Sequence, residues 1–585
     1  MSKRHFLICG GGSCKESNSA ILEKFKAEIK EQGLANDVGA VQVGCLGFCE
    51  KGPVVKVYPD NTFYFQVKPE DAKAIVAEHG GKGNPVTSLN YDDGSNLPFH
   101  SSQVRIAMRN CGIIDPDSIN DYIARDGYDA LAKALFEMKP EEIIAAVKAS
   151  GLRGRGGAGF PTGLKWEFTS KSEGDIKYVM CNADEGDPGA FMDRSILECD
   201  PHNTLEAMAI CGRAIGANEG VIYIRAEYPA AVKRLNDAIA QAEEMGLLGK
   251  NIMGSGFDFT IRLYLGAGAF VCGEETSLMN SVQGGRGEPR IKPPFPAQRG
   301  LWNKPTNINN VETYANINQI ILKGADWFRS FGNEDSPGTK VFALAGKVNN
   351  VGLIEVPMGM SLRDVVDKIG GGVADGKQFK AIQTGGPSGG CIPATHLDTP
   401  VDFKSLSALG SIMGSGGMIV MDEDDCMVSI SKFFLEFTAE ESCGKCTPCR
   451  IGNMRLLEIL IRITEGKGTE DDIEELESLS KTICDTSLCG LGQSSPNPIL
   501  STLNFYKDEY LAHVLEQRCP AGSCIDLLKY IVIPEKCTGC TICKKVCPVD
   551  CISGERKEKH VIDQDRCIKC GVCLAKCPFA AIVKG

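Results

Sequence analysis

The chain has 585 residues, 27 cysteines and a formal net charge of −12 at pH 7. This length predicts roughly three to five domains, and the acidic balance gives no support for nucleic-acid binding. The sequence contains no run of about 18 apolar residues, so no membrane span is expected, and its start lacks the apolar segment of a secretion signal. Clustered cysteines in so long a chain favour metal–sulfur ligation in a reducing cytoplasm over disulfides.

Residues 1–80 are predicted to form a small α/β domain in which two loops each carry a pair of cysteines. These cysteines are Cys9, Cys14, Cys45 and Cys49. Neighbouring glycines let the backbone approach inorganic sulfide closely, so four thiolates here suit a [2Fe–2S] cluster. A zinc site and a redox disulfide are the alternatives, although no C-x-x-C motif is present. The domain resembles the thioredoxin-like [2Fe–2S] ferredoxins. Residues 81–98, rich in Gly, Asn, Asp and Ser, are predicted to be a linker.

Residues 99–340 contain four distinctive segments within a βα pattern typical of a doubly wound sheet. They are the glycine-rich loop 154–166, the acidic turn 181–189, the glycine-rich 266–276 and the segment 289–313. Exposed backbone amides in the first loop suit a phosphate cradle, but it is neither a Walker A loop nor a Rossmann fingerprint. Taken by itself, the glycine-rich loop could be a flexible loop without a ligand. The acidic segment, taken by itself, could be an ordinary turn.

In this order, the four segments resemble the NADH-binding flavoprotein subunit of respiratory NADH dehydrogenase and its soluble diaphorase relatives. The resemblance implies a Rossmann-like FMN and NAD(H) domain, in which hydride passes between the two cofactors without a catalytic side chain. It assigns FMN to Gly154, Arg155, Gly156, Lys165, Asn182, Asp184, Glu185, Asn309, Asn310 and Thr313. It assigns NAD(H) to Phe160, Phe168, Asp187, Phe270, Glu275, Lys292 and Phe295. Asp187 replaces the longer Glu usual in the family, which weakens the expected repulsion of a 2′-phosphate; NAD is still the expected coenzyme.

Residues 341–425 have a strand–turn–strand–helix pattern, with Ser361 as the expected N-cap of the helix. The pattern resembles the ubiquitin-like β-grasp insert of the same family. We expect this domain to act as a structural spacer, and Cys391 is given no role.

Residues 426–525 are predicted to form a helical bundle with one [4Fe–4S] cluster. Cys443, Cys446 and Cys449 have the spacing for three corners of a cubane, and the resemblance implies Cys489 as the fourth ligand. Cys484, His513, Cys519 and Cys524 are a candidate Cys3His zinc site. The alternative is a set of buried thiols beside a solvated histidine. The other cysteines are expected to be core thiols; they are Cys111, Cys181, Cys199, Cys211, Cys272, Cys426 and Cys551.

Residues 526–585 carry the pattern C-x2-C-x2-C-x3-C-P twice. In this pattern the fourth cysteine of each run ligates the other cluster. The expected ligand sets are Cys537, Cys540, Cys543 and Cys577 for one [4Fe–4S], and Cys567, Cys570, Cys573 and Cys547 for the other. A zinc ribbon is disfavoured because zinc needs only four thiolates.

The [2Fe–2S] head and two-cluster tail together resemble the diaphorase subunits of electron-bifurcating [FeFe]-hydrogenases. The resemblance implies FMN, NAD(H), one [2Fe–2S] and three [4Fe–4S] clusters. It also implies a hydrogenase-type catalytic subunit and a small [2Fe–2S] subunit as partners, with ferredoxin as exchange partner, in the cytoplasm. The alternatives are the diaphorase subunit of an NAD-linked formate dehydrogenase, and an electron-transfer scaffold without catalytic activity.

Overall fold

The computed structural model describes residues 4–11, 15–92 and 98–584. The predicted multidomain α/β fold is confirmed, with FMN-binding, β-grasp, [4Fe–4S] and ferredoxin units in chain order. Among the described residues, no helix has the length and apolar character needed to cross a membrane.

The head folds as a five-stranded sheet of order β2-β1-β3-β4-β5, in which only β1 and β2 are parallel. Its elements are β1 Arg4–Cys9, α1 Lys15–Glu31, β2 Val38–Val43, β3 Val55–Tyr58, β4 Thr62–Tyr64, α2 Ala72–Ala74 and β5 Tyr91–Asp92. A π-helical turn, Ile75–Gly81, continues α2. Strand β5 lies in the predicted linker and pairs with β4, so the head sheet extends past residue 80.

The flavin domain is built on a parallel sheet of order β8-β7-β6-β9. Its strands are β6 Tyr178–Ala183, β7 Glu219–Arg225, β8 Thr260–Gly266 and β9 Thr306–Asn310. Its helices are α3 Pro98–Ser101, α4 Ile119–Ile123, α5 Asp129–Phe136, α6 Pro140–Ala149, α7 Thr162–Lys171, α8 Met192–Cys199, α9 Pro201–Ile215, α10 Pro229–Glu244, α11 Glu275–Val282, α12 Pro296–Arg299, α13 Val311–Lys323 and α14 Ala325–Arg329. Helices α9 and α13 are almost entirely buried, and both carry buried polar side chains, such as Glu206 and Asn318, among their apolar ones.

The β-grasp domain has a mixed sheet of order β11-β10-β14-β12-β13, with β10 and β14 parallel. Its elements are β10 Thr339–Gly346, β11 Gly352–Pro357, the π-helical turn Asp364–Ile369, β12 Phe379–Thr384, β13 Gly390–Pro393, α15 Phe403–Ala408 and β14 Gly417–Asp422. The Ser361 hydroxyl accepts a hydrogen bond from the Asp364 amide at 3.1 Å, so it caps the turn as expected.

The bundle and the tail complete the chain. The bundle contains α16 Met427–Glu440, the π-helical turn Pro448–Gly452, α17 Asn453–Thr464, α18 Glu470–Thr486, α19 Gly490–Ser494, α20 Asn497–Phe505 and α21 Lys507–Leu515. The tail contains β15 Tyr530–Val532, α22 Ile542–Val546, β16 Ile552–Ser553, β17 Val561–Ile562, α23 Val572–Ala575 and β18 Ile582–Lys584. Two short antiparallel pairs, β15 with β18 and β16 with β17, hold the tail together.

A buried ion pair joins the flavin and β-grasp domains. Lys340 on β10 is paired with Glu312 on α13, and both side chains are almost fully buried. The ammonium also donates to the Ser415 carbonyl at 2.6 Å, and Glu312 accepts from the Val341 amide at 2.8 Å. Both charges are therefore hydrogen-bonded, which is the condition for a buried pair to be tolerated.

Replacement of Lys340 by methionine should leave Glu312 buried without its counter-charge. We expect a loss of about 3–5 kcal/mol in the free energy of unfolding, measured by urea unfolding. The control is Lys404→Met, at a largely exposed side chain, which should change stability by no more than about 0.5 kcal/mol. Equal losses in the two variants would contradict the role given to the buried pair.

Candidate cofactor and metal sites

A cavity of about 890 Å³ lies at the carboxyl end of β6 and is walled by three domains. The flavin domain contributes the glycine loop, the turn after β6 and residues near Phe270. The β-grasp domain contributes Phe403, Lys404 and the loop 412–415, and the bundle contributes Gly490, Leu491, Gln493 and Ser494. The β-grasp domain is thus part of the cavity wall, which differs from the expected structural spacer.

The glycine loop is held so that its backbone faces this cavity. The Gly154 amide donates to the Phe160 carbonyl, and the Arg155 amide donates to the Thr313 hydroxyl, each at 2.8 Å. A Cβ added to Gly156 would lie 3.0 Å from the Cβ of Asn310, so a side chain here would crowd the wall. Gly156, Gly157 and Ala158 line the cavity, and their position suits close contact with a phosphate group.

The Arg155 side chain points away from the cavity, so its positive charge does not face the expected phosphate position. Its guanidinium is fully buried and donates to the Pro337 carbonyl at 2.7 Å and the Arg153 carbonyl at 3.1 Å. Burial lowers the pKa of Arg155 to about 10. The Arg155 side chain therefore stabilises the loop through these two hydrogen bonds. Only the Arg155 backbone remains at the glycine loop, where FMN binding is expected.

Buried acids surround the end of β6. Neither carboxylate oxygen of Asp184 has a hydrogen-bond partner among the described residues, and burial raises its pKa to about 7. Glu185 accepts from the amides of Asp193 at 2.8 Å and Arg194 at 3.0 Å, and burial raises its pKa to about 7 as well. Asn182 donates to the Gly273 carbonyl at 2.9 Å. Asn182 and Glu185 line the cavity, where they can hydrogen-bond a bound group, whereas Asp184 is buried outside its lining.

The remaining predicted FMN residues come together at β9 and the start of α13. Asn310 caps α13 by accepting from the Thr313 amide at 3.1 Å, and its amide donates to Asp193 at 2.6 Å. Asn309 is buried and accepts from the Trp166 indole at 2.9 Å. The Lys165 ammonium donates to the Ile308 carbonyl at 3.1 Å, and burial lowers its pKa.

The residues predicted near NAD(H) divide into two groups. Phe160, Phe168 and Phe295 are about half exposed at the surface, and the Lys165 ammonium lies 6.0 Å from the centre of the Phe160 ring. Lys292 bridges Glu274 and Glu275 at 3.0 Å each and lies near this surface.

Phe270 and Asp187, in contrast, line the cavity itself. The Phe270 amide donates to Glu441 of the bundle at 2.9 Å, and the Phe270 ring packs edge-on against Phe437. Asp187 is hydrogen-bonded by the Ser415 hydroxyl of the β-grasp domain. Burial raises the pKa of Asp187.

The first bundle cysteines converge on one enclosed space directly behind the cavity. Cys443, Cys446, Cys449 and Cys489 line this space together with Val271 and Leu491. The Cys449 sulfur is 3.2 Å from the Ser442 hydroxyl, and burial raises the pKa of Cys449 to about 11. Val271 and Leu491 also line the large cavity, so a single layer of side chains separates the two sites.

The tail brings its cysteines together in two crossed sets. One space is lined by Cys537, Cys540, Cys543 and Cys577, and the other by Cys547, Cys567, Cys570 and Cys573. Cys551 also borders the second space, with its sulfur 3.4 Å from that of Cys547. The pairing of ligands between runs is the arrangement that two cubanes require.

The head presents three of its four predicted cysteines; Cys14 lies outside the described residues. Cys9 ends β1, Cys45 follows β2, and Cys49 begins a short helical turn. Hydrogen bonding to Cys49 is the largest cause of a raised pKa at Cys45. The Cys45 amide donates to the Cys199 sulfur of the flavin domain at 3.0 Å, so the loop that carries Cys45 contacts that domain.

The structure brings together three of the four candidate zinc residues, and it places Cys426 rather than Cys484 beside them. His513, Cys519 and Cys524 come together with Cys426, and the four ligand atoms lie within 4.8 Å of one another. Cys426 and Cys524 are 3.4 and 3.3 Å from the His513 Nε2, whose Nδ1 is 2.7 Å from the Glu509 carbonyl. Cys484 lies on α18, outside this group. The residue expected to be a core thiol, Cys426, takes the place given to Cys484.

Known protein families match most of the chain. The Nuo51 FMN-binding domain matches residues 147–319, and the SLBB domain matches residues 341–392. The NADH-ubiquinone oxidoreductase-F iron–sulfur binding region matches residues 429–513, and a 4Fe-4S dicluster domain matches residues 536–581.

Individual relatives cover the chain more fully. The NADP-reducing hydrogenase subunit HndC of Solidesulfovibrio fructosivorans is 65% identical over 78% of this chain and 93% of its own length. An NADH-quinone oxidoreductase F subunit of Rhizobium meliloti is 48% identical over 71% of this chain and 99% of its own. Among solved structures, an NAD+-reducing [NiFe]-hydrogenase chain in the H2-reduced state aligns with a TM-score of 0.63 at 29% identity, covering 87% of this chain and 84% of its own.

The matched domains define the class of the protein as a flavoprotein with FMN-binding and iron–sulfur domains. The chain belongs to the family of the NADH-quinone oxidoreductase F subunits, which also includes the hydrogenase protein HndC. It is an NAD(H) oxidoreductase subunit with FMN and iron–sulfur domains. The backbone of Gly156, Gly157 and Ala158 and the side chains of Asn182 and Glu185, all of which line the cavity, suit FMN there.

Proposed function

We propose that the chain is the NAD(H)-linked flavoprotein of a cytoplasmic electron-bifurcating hydrogenase that couples H2 to both NAD and ferredoxin. A hydrogenase-type catalytic subunit and a small [2Fe–2S] subunit would complete the complex. The 65% identity to HndC, a subunit of a hydrogenase, supports a hydrogenase as the catalytic partner. The cysteine groups of the head and tail support two further routes for single electrons away from the flavin domain.

Val271 and Leu491 line both the cofactor cavity and the space of the four bundle cysteines. This shared wall is the observation that carries the proposed electron transfer from flavin to cluster. Helix α19 begins immediately after Cys489, and its first residues line the cavity. A cluster held by Cys489 would therefore be separated from FMN by one layer of side chains. Electrons leaving the cavity need no rearrangement of the protein to reach this site.

The chain's own residues would bind and orient the cofactors. The loop at Gly156 would hold the FMN phosphate, and Asn182 with the buried acids would hold its polar edge. FMN supplies the exchange between paired and single electrons when it is bound. Phe270, held by Glu441 and Phe437 of the bundle, would close the inner end of the NAD(H) site against water.

We also propose the metal complement of the chain. The head would hold one [2Fe–2S] cluster on Cys9, Cys14, Cys45 and Cys49. The bundle would hold one [4Fe–4S] cluster and the tail two, on the cysteine sets that line their three spaces. Cys426, His513, Cys519 and Cys524 would bind zinc, because three thiolates and an imidazole suit its tetrahedral preference. The Glu509 carbonyl would orient the histidine through its other nitrogen.

Purification of the tagged chain with its native partners tests the function. We expect a hydrogenase subunit to co-purify and H2-dependent NAD reduction to require ferredoxin. Full NAD reduction by H2 without ferredoxin would exclude bifurcation. A formate dehydrogenase subunit in place of a hydrogenase, with no H2 activity, would overturn the hydrogenase assignment. Absence of bound flavin and of NADH oxidation would instead favour an electron-transfer scaffold.

Coenzyme preference should depend on Asp187. We propose NAD as the coenzyme, although HndC is named for NADP reduction. The variant Asp187→Ala removes the carboxylate expected to repel a 2′-phosphate, so the ratio of kcat/KM for NADPH to that for NADH should rise about tenfold, the effect of 1.4 kcal/mol. The control is Asp335→Ala, another acid that lines the cavity. An unchanged ratio in Asp187→Ala would show that this acid does not face the 2′ position.

A further inference from the structure

A second cavity, of about 440 Å³, opens in the flavin domain away from the cofactor cavity. The two cavities have no lining residue in common. Four cations line the second cavity, together with the Gln319 amide and the Trp327 indole; these cations are Arg105, Arg109, Arg125 and Lys323. A space of this size falls within the usual range for small-molecule sites, about 300–1,000 Å³.

Several hydrogen-bond donors at this cavity have no acceptor. The Arg105 Nη2 atom, the Arg109 Nε and Nη2 atoms and the Gln319 Nε2 atom are buried without a partner in the part of the chain that the structure describes. Gln319 itself is 2% exposed. Buried donors of this kind are costly unless an acceptor is bound, so together they indicate a missing ligand rich in acceptor oxygens.

The protein's own acids leave this positive charge unpaired. Among the described residues, none of the four cations forms an ion pair within 4.0 Å. Asp126 is the acid that lines the cavity. Asp200 and Glu206 lie close enough for the charge of Arg109 to lower their pKa values, against the larger effect of burial, but neither acid forms an ion pair with it within 4.0 Å. Asp200 accepts from Asn110 at 2.8 Å, and Glu206 accepts from the Leu131 amide at 3.0 Å.

The cations are also held in place before any ligand arrives. Arg109 donates to the Arg125 carbonyl at 3.0 Å, and the Arg125 Nε donates to the Asn110 side chain at 2.8 Å. Arg105 donates to the Gln103 side chain at 3.4 Å. The Lys323 ammonium lies 4.5 Å from the Trp327 ring. Preorganised guanidinium groups lose little freedom on binding, which favours bidentate recognition of an oxyanion.

We propose that this cavity binds a small molecule bearing a phosphate group. A phosphate offers the acceptor oxygens that the unpartnered donors lack, and its charge opposes the four cations. The free volume exceeds that of inorganic phosphate alone, so the cavity has room for an organic group attached to the phosphate. The chemistry shared by inorganic phosphate and a nucleoside monophosphate defines the site, and the experiment distinguishes between these two sources.

Isothermal titration calorimetry of the full, FMN-loaded chain with inorganic phosphate and with AMP tests this inference. Loading with FMN occupies the phosphate cradle of the other cavity. We expect saturable binding that is weakened about tenfold or more in Lys323→Gln and in Arg109→Gln, since each removes a charge-assisted hydrogen bond. The matched control is Lys250→Gln, at an exposed lysine of the same domain, which should bind like the parent.

The two probes separate the sources of the phosphate group. Binding of both with similar affinity would indicate a phosphate site, whereas tighter binding of AMP that is lost in the same two variants would indicate a nucleotide site. AMP binding that survives both substitutions belongs to the NAD(H) site, and it counts against the inference in the same way as no binding at this cavity. Absence of saturable binding of both probes, or binding that is unchanged in both variants, would overturn it.

Discussion

Replacement of Cys489 by alanine should eliminate electron transfer from NADH to one-electron acceptors that draw on the clusters, while NADH still reduces the flavin. Cys489 shares one enclosed space with Cys443, Cys446 and Cys449, immediately behind the cofactor cavity. Substitution of residues that only orient metal ligands typically costs 10–100-fold in affinity or activity, so loss of a ligand should cost more than about 100-fold. The measurements are iron content, the EPR spectrum and steady-state acceptor reduction.

Cys484 provides the matched control for this variant. It lies on α18, five positions earlier in the chain, and lines neither the cofactor cavity nor the space shared by the four thiols. Cys484→Ala should retain the iron content and acceptor activity of the parent. If Cys489→Ala keeps its cluster and its activity, or if both variants lose them equally, the assignment of Cys489 is wrong.

Replacement of Cys426 by alanine should release zinc and destabilise the junction between the bundle and the tail. Cys426 immediately precedes α16, whereas Cys519 and Cys524 precede the tail, so the metal would tie the two ends of the bundle together. Loss of a structural metal is among the few changes that cost more than about 4 kcal/mol. Zinc analysis of the pure protein and urea unfolding measure the two effects.

The same Cys484→Ala protein is the control for the zinc site. We expect one zinc per chain in the parent and in Cys484→Ala, and none in Cys426→Ala. Zinc that is lost from Cys484→Ala but retained by Cys426→Ala would restore the ligand set expected from the sequence. Absence of zinc from a parent protein with all its iron present would exclude the site.

The cysteine runs were predictable because their ligands are local in sequence. Within C-x2-C-x2-C, three thiolates reach one cubane through a single turn of backbone, so spacing alone indicates the site. The zinc group differs, because Cys426 is 87 residues from His513 and joins it only through the packing of α16 against α21. Proximity along the chain favoured Cys484 instead, and no local pattern distinguished the two cysteines.

The cofactor cavity shows the same division between local and tertiary information. The glycine loop and the acids after β6 were recognisable as motifs, and the structure brings them together at one sheet edge. The β-grasp loop that carries Ser415 has no such motif, and it reaches the cavity through the pairing of β10 with β14. Arg155 has a side chain of the expected type, but burial of its guanidinium depends on contacts with Pro337 that sequence does not reveal. Strand β5 was missed because two residues are too few to show alternation.

Anaerobic reduction by NADH, followed by EPR, tests most directly the central claim that the cavity and the clusters form one electron path. FMN-loaded protein should develop reduced iron–sulfur signals when NADH is added, and flavin-free protein with the same iron content should not. The claim of a single electron path would be contradicted if excess NADH reduced the flavin without producing an EPR signal from the clusters. It would also be contradicted if that EPR signal were the same in flavin-free protein.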